Sequence, residues 1–454
     1  MENHNHKVLH FTVISFLFLF LLSCFSDYVS QYWKQVLNID ILSDIRRQPE
    51  KQYNLKENKP ADAQDAADID SVDFGQYQIP GVIVNFRTDT SSAVLPRTMY
   101  KLNALMRGEK VKLRIAWLGD SLIEGDLITQ TVRDLLQDDF CGNRGVGFVP
   151  IKSITAGFRT SVTAVTNGAW KDDNFRNGKN KELQFLSGHT FYSRGGHLLL
   201  KDNTIKDTTQ ILEKWLVCGP ASKEGAVVVN GERLTISTPN LFNRILLEKS
   251  MATKVRVSLQ CDGIPLYGVS IEPEYGVIID NLSFRGISGF ELGRIDGSFL
   301  EDISSRGQYD LIVLQYGVNL MFRSRDTNYD YYYKGMDPVI KKMKQYMPNA
   351  EFMVVSSSDR AFRYGSKWSS AIGIDSLVAI QAKLAFENGI PFFNLYQTMG
   401  GSGTIVSWVE NPERLAAKDY IHMSPRGAEI LGRFFYNAFK NDYTKFVCRE
   451  NSYQ

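Results

Sequence analysis

The stretch Arg114-Ile-Ala-Trp-Leu-Gly-Asp-Ser-Leu-Ile123 constrains this chain more than any other. Its apolar part reads as a strand buried on both faces, the kind that belongs to a parallel sheet. It runs straight into Gly119-Asp120-Ser121, and a helical pattern follows over residues 128–136. A serine between the carboxyl end of a strand and a helix sits where an open α/β sheet exposes its reactive groups. Far downstream comes Asp419-Tyr-Ile-His422, an imidazole with a carboxylate three residues before it.

The α/β texture recurs after residue 284. Residues 309–316 form a continuous apolar strand, and Asp337-Pro338 can cap and start a helix running to 347. Residues 351–355 and 390–396 read as strands, 376–388 and 425–441 as helices. Between the two α/β segments the period changes to two. Residues 226–236 read as a β-hairpin turning at Asn230-Gly231, and 254–261, 267–272 and 277–280 as further strands. A chain of 454 residues exceeds one ordinary compact domain. The expected order is therefore a leader at 1–26, a membrane-proximal tether at 27–95, an α/β domain at 96–150 and 284–454, and an all-β insert, a sandwich, at 151–283.

Residues 8–25 are nearly all apolar, with Lys7 before them and Asp27 after. That length fits a membrane-spanning anchor or a long secretory segment. Leu21-Leu-Ser-Cys24 resembles a bacterial lipobox, which makes a lipidated Cys24 the other reading. Each sends the rest of the chain outside the cytoplasm, into the cell envelope. Residues 48–73 are polar, carry Pro49 and Pro60, and end in an acidic run, as a flexible tether would. Cys141, Cys218, Cys261 and Cys448 are an even set compatible with an oxidising compartment, and Cys218 and Cys261 are candidates to pair.

The net charge of +2 and the lack of a long basic run give no support for a nucleic-acid partner. Only His189, His197 and His422 lie outside the leader, too few for a multi-histidine metal centre. The glycine-rich stretches 142–147 and 400–403 match neither a phosphate loop nor a dinucleotide fingerprint. They are expected to be turns near a substrate groove, so no metal and no organic cofactor is expected. The chemistry that remains is nucleophilic. A serine hydroxyl needs a base, and the base needs an orienting carboxylate. Ser121 is the candidate nucleophile, His422 the base and Asp419 its partner. An oxyanion formed on attack needs placed donors. The backbone N–H groups of Ser121 and Gly289 and the side-chain amide of Asn319, in Gly317-Val-Asn319, are the candidates.

Gly119-Asp-Ser121, Gly289, Gly317-Val-Asn319 and Asp419-x-x-His422 resemble, in order, the four sequence blocks of the SGNH (GDSL) hydrolases. The resemblance implies a flavodoxin-like three-layer α/β/α domain, with those residues as triad and oxyanion donors. Gly142-Asn-Arg-Gly-Val-Gly-Phe148, Tyr267-Gly-Val-Ser270, Met399-Gly-Gly-Ser-Gly403 with Trp408, and the β insert are similar to bacterial peptidoglycan O-acetylesterases. In these a carbohydrate-binding-like β module interrupts the hydrolase. The resemblance implies an esterase that removes acetyl groups from an envelope glycan such as peptidoglycan. The alternatives are an envelope O-acetyltransferase served by a membrane O-acyltransferase partner, and a non-catalytic glycan-binding protein. Asp120 and Asp359 are expected to be structural. His189 and His197 are expected to be ordinary polar residues of the insert, and Tyr329-Asp-Tyr-Tyr-Tyr333 to pack rather than stack on sugars.

Overall fold

The computed structural model describes residues 72–452, apart from 179–182, 223 and 261–262. The apolar leader, Cys24, Cys261 and the tether up to residue 71 lie outside the described residues. Among those described, no helix is long and apolar enough to cross a membrane.

Five parallel strands organise the α/β domain: β1 (Lys112–Gly119), β2 (Gly276–Ser283), β3 (Leu311–Gln315), β4 (Glu351–Val355) and β5 (Phe392–Phe393). Their order across the sheet is 2-1-3-4-5, the flavodoxin-like order. The helices are α1 (Pro96–Met106), α2 (Leu127–Asp139), α3 (Gly297–Gly307), α4 (Asp330–Tyr346), α5 (Ile374–Glu387), α6 (Leu395–Met399), α7 (Thr404–Glu410) and α8 (Pro425–Ser452). The apolar strands make the layering unavoidable. Alternate side chains of a strand point to opposite faces. Ala116 and Leu118 of β1 join one core with α3, α4 and α5. Ile115 and Trp117 join the other with α1, α2 and α8. Each strand residue is buried on one side or the other, so helices must cover both faces.

Four expectations change. The end of the tether is folded: Ile83–Val84 pairs antiparallel with Phe392–Phe393, and Phe86 is buried beside it. This apolar pair covers the open edge of β5, an edge that would otherwise expose unpaired backbone groups. The insert's borders shift in both directions. β2, counted with the insert, pairs along its whole length with β1. Gly147–Pro150, counted with the hydrolase, pairs with Leu266–Pro273 of the insert. Period-2 patterns do not say which sheet a strand joins. Helix α4 begins at Asp330, not at Asp337, and carries Pro338 inside it. Finally, β5 holds two residues, and the apolar run after it turns into α6.

The described strands of the insert form one nine-stranded hydrogen-bonded sheet with a buried core of its own. The pair Leu266–Phe191 joins its strands Leu266–Pro273 and His189–Asp202. The hairpin Gly225–Val229/Glu232–Ile236 turns at Asn230 and Gly231, both at positive φ. Phe148, Phe185, Val217 and Tyr267 belong to the same core as α3 and α4, so the insert is packed onto the α/β domain.

Candidate active site

β1 ends at Gly119, where a Cβ would lie 2.7 Å from the Gln315 carbonyl oxygen of the neighbouring strand. Only glycine fits there. The chain then makes a turn over 121–125 before α2, so Ser121 stands in the turn and does not cap the helix. Its Oγ lies 2.7 Å from Nε2 of His422. Nδ1 of His422 lies 2.7 Å from Oδ2 of Asp419. Partial burial pushes the Asp419 carboxyl up. Hydrogen bonds from the His422 ring and from the backbone N–H groups of His422 and Ile421 outweigh that and hold it at about 2. An ionised carboxylate can only accept, so Nδ1 carries the proton and the Nε2 lone pair faces the serine.

The loop bearing Asp419 and His422 holds them in this geometry. Asp419 Oδ1 accepts the N–H groups of Ile421 and His422, each at 3.0 Å, which closes the turn between them. Tyr420 adopts φ +60°, unusual for a residue with a side chain. Its ring stacks on Trp368, with centroids 3.8 Å apart and planes 10° from parallel. Trp368 belongs to the hairpin Ala361–Tyr364/Lys367–Ser370, which lies outside the main sheet. Arg360, just before it, donates from Nη1 to the Val318 carbonyl at 2.7 Å and interacts electrostatically with Asp419. Sequence reading missed Trp368 and Arg360, because neither lies near a motif and only the fold brings them there.

The oxyanion candidates leave the sheet at one level. Gly119 stands opposite Ser283 of β2 and Gln315 of β3, and the three loops begin there. Gly289 has φ +95°, and a Cβ on it would come within 3.0 Å of Met336 and Tyr316. The Asn319 amide donates one hydrogen to the Ile287 carbonyl at 2.9 Å, tying the β3 loop to the β2 loop. Its second hydrogen is the candidate oxyanion donor. Behind them lies Asp120, fully buried. Burial pushes its carboxyl up to about 7, against hydrogen bonds from the N–H groups of Leu122 and Gly317.

The other singled-out residues lie elsewhere. Asp359 is buried and accepts from Ser370 Oγ and the Ile405 N–H, a structural role. His189 contacts Asp172 and His197 contacts Ser258, both within the insert. Tyr329 and Tyr332 are buried in the start of α4. The 142–147 stretch starts far from the site. Cys141 and Asn143 pack at Gly276, opposite Lys112 at the amino end of β1. That is the far end of a strand of eight residues, roughly 20 Å long at the usual rise per residue. Gly400–Gly403 is a turn between α6 and α7, and its Gly403 N–H donates to Ser370.

No protein-family model matches the chain, and no curated protein matches its sequence. A solved structure described as a peptidoglycan O-acetylesterase in action superposes with a TM-score of 0.66 at 20% identity. The match covers 78% of this chain and 98% of that one. The chain shares the fold of that structure. Two partial likenesses are weaker. An acetyl xylan esterase gives a TM-score of 0.28 at 19% identity over 36% of this chain and 81% of its own. A family two carbohydrate esterase from Clostridium thermocellum gives 0.26 at 10% over 62% and 99%. Neither score supports a shared architecture. Within this fold, Ser121 follows β1, the strand next to edge strand β2, and the serine–histidine–aspartate hydrogen-bond chain stands at the carboxyl edge of the sheet.

Proposed function

We propose that this protein is a serine esterase that removes O-acetyl groups from a cell-envelope glycan, peptidoglycan foremost, through an acetyl-Ser121 intermediate. The observation that carries this reading is the continuous chain from Ser121 Oγ through His422 to Asp419, at 2.7 Å per link. The peptidoglycan O-acetylesterase fold around it supports the substrate class. The leader at residues 8–25 supports a location outside the cytoplasm, membrane-anchored or lipidated at Cys24.

In the first step Ser121 Oγ attacks the acetyl carbonyl carbon while His422 Nε2 takes its proton. Asp419 stabilises the imidazolium and keeps Nδ1 protonated. The oxyanion is met by the backbone N–H groups of Ser121 and Gly289 and by the Asn319 amide. As the tetrahedral intermediate collapses, His422 returns the proton to the departing sugar hydroxyl. Water, deprotonated by His422, then attacks the acetyl-serine and releases acetate. The side chains of Asp419 and His422 are 46% and 41% exposed. This openness admits a bulky glycan and gives water access to the acyl-enzyme, which favours hydrolysis over transfer.

The test is acetate release from O-acetylated peptidoglycan by the full chain. Ser121→Ala is expected to lower turnover by at least about three orders of magnitude with the fold intact. Turnover like that of the unaltered protein would overturn the reading.

A further inference from the structure

Residues 359–373 touch both halves of the candidate site. The Ala361 N–H donates to the Tyr420 carbonyl at 3.1 Å, and Trp368 stacks on the Tyr420 ring, so the segment grips the loop that carries Asp419 and His422. On its other side the Tyr364 hydroxyl donates to the Ser324 carbonyl at 2.6 Å, in the loop that carries Asn319. Gly373 packs against that loop too, where a Cβ would meet the Asp326 carbonyl oxygen at 2.1 Å. Arg360 is the member of the segment that reaches the peptide of Asn319 itself. Its Nη1 donates to the Val318 carbonyl at 2.7 Å.

That carbonyl belongs to the peptide joining Val318 to Asn319. A peptide is planar, so anchoring its C=O also sets the direction of the Asn319 N–H. The Asn319 side chain is tied separately, to the Ile287 carbonyl at 2.9 Å. One bond on the backbone and one on the amide thus fix the residue and leave the second amide hydrogen for an oxyanion. Stability alone does not explain an arginine here. It is half-buried, its Nε is buried without a partner among the described residues, and its Cζ lies 4.6 Å from the Phe362 ring centroid. Asp419 and Tyr329 act on its charge, but neither pairs with it: Asp419 is paired with His422, and the Tyr329 hydroxyl donates to the Asp326 carbonyl. The carboxyl of Asp359 accepts the Arg360 backbone N–H and hydrogen bonds from Ser370 and Ile405. An apolar side chain of similar volume often serves stability as well as a buried charge does.

We propose that Arg360 is a positioning residue, whose guanidinium fixes the Asn319 peptide, and with it the oxyanion donor, relative to the loop that carries Asp419 and His422. The proposal rests on the esterase reading above and names the device that keeps the two halves of its site in register.

Arg360→Met removes the bond to Val318 and keeps the bulk. It is expected to lower kcat on an acetylated substrate by about 10- to 100-fold, with KM changed by less than about threefold. Arg360→Lys keeps the charge and a donor, and should recover part of the loss. A double-mutant cycle with Asn319→Ala shows whether the effect runs through the amide. Once Asn319 is alanine, Arg360→Met should cost less than about twofold more. Thermal midpoints establish that each variant is folded at the assay temperature, and Arg360→Lys serves in the same cycle should Arg360→Met not fold. Additive losses, or an unchanged kcat in Arg360→Met, would overturn the proposal and leave the esterase reading standing. Acetate release by Ser121→Ala equal to that of the unaltered chain would overturn both.

Discussion

Asp120 shows how a buried group can set the order of the site. Its carboxylate accepts N–H groups from Leu122, on the turn that carries Ser121, and Gly317, on the loop that carries Asn319, and so clamps the two together. The remaining oxygen is buried without a partner among the described residues. Burial raises the folded-state value to about 7, from the 3.8 of an exposed aspartate. The native state therefore holds a proton that the unfolded state has lost. The resulting stabilisation is fully present below about pH 4 and disappears as the pH rises through about 7. Asp120→Asn keeps an acceptor for the two N–H groups but cannot ionise. Denaturant unfolding from about pH 4 to 8 should show a decline in stability for the unaltered protein that is shallower in the variant. Asp359 and Asp442, both raised to about 6 by burial, contribute to both proteins alike. Parallel curves would contradict this account of Asp120.

At the scale of elements, the hairpin Ala361–Tyr364/Lys367–Ser370 buttresses the acid–base loop through the Trp368–Tyr420 stack. Trp368→Ala is expected to cost about 1 kcal/mol and to lower kcat more than it raises KM. Steady-state kinetics and thermal unfolding check this, and an unchanged kcat would show that the hairpin does not position the loop. This element was not legible in the sequence. Its strands are four residues each, too short for a period. β1, β3 and β4 were legible because their unbroken apolar runs fit only a sheet covered on both faces. α4 was misread at its start because Asp337-Pro338 resembles a cap, while the helix tolerates Pro338 inside it. Ser121, His422 and Asp419 were legible from residue type and order, and their contact is a property of the fold.

Over the whole molecule, one buried ion network joins the insert to the α/β domain. Arg114 of β1 reaches Glu272 of the insert strand Leu266–Pro273 at 2.6 Å and Asp280 of β2 at 3.3 Å. Arg244 of the insert also pairs with Glu272. Burial works against these charges, but the two arginines hold the Glu272 carboxyl well below its usual range. The junction explains why the borders of the insert were hard to read. The strand carrying Glu272 and the strand carrying Asp280 follow each other in the chain, look alike, and enter different sheets. Removing one partner of such a network leaves buried charge uncompensated, at a cost of about 3–5 kcal/mol. Arg114→Met is expected to lose that much stability and to split one calorimetric transition into two. A single transition at the original midpoint would show that the network does not couple the two parts.

The claim on which the account depends is that Ser121 carries the acyl group. Rapid quenching during turnover of an acetylated substrate, followed by peptide mass spectrometry, reads this directly. The account predicts the mass of one acetyl group on the peptide containing Ser121, accumulating further in Asp419→Asn. An acetyl group on another residue, or none while acetate is being released, would contradict it.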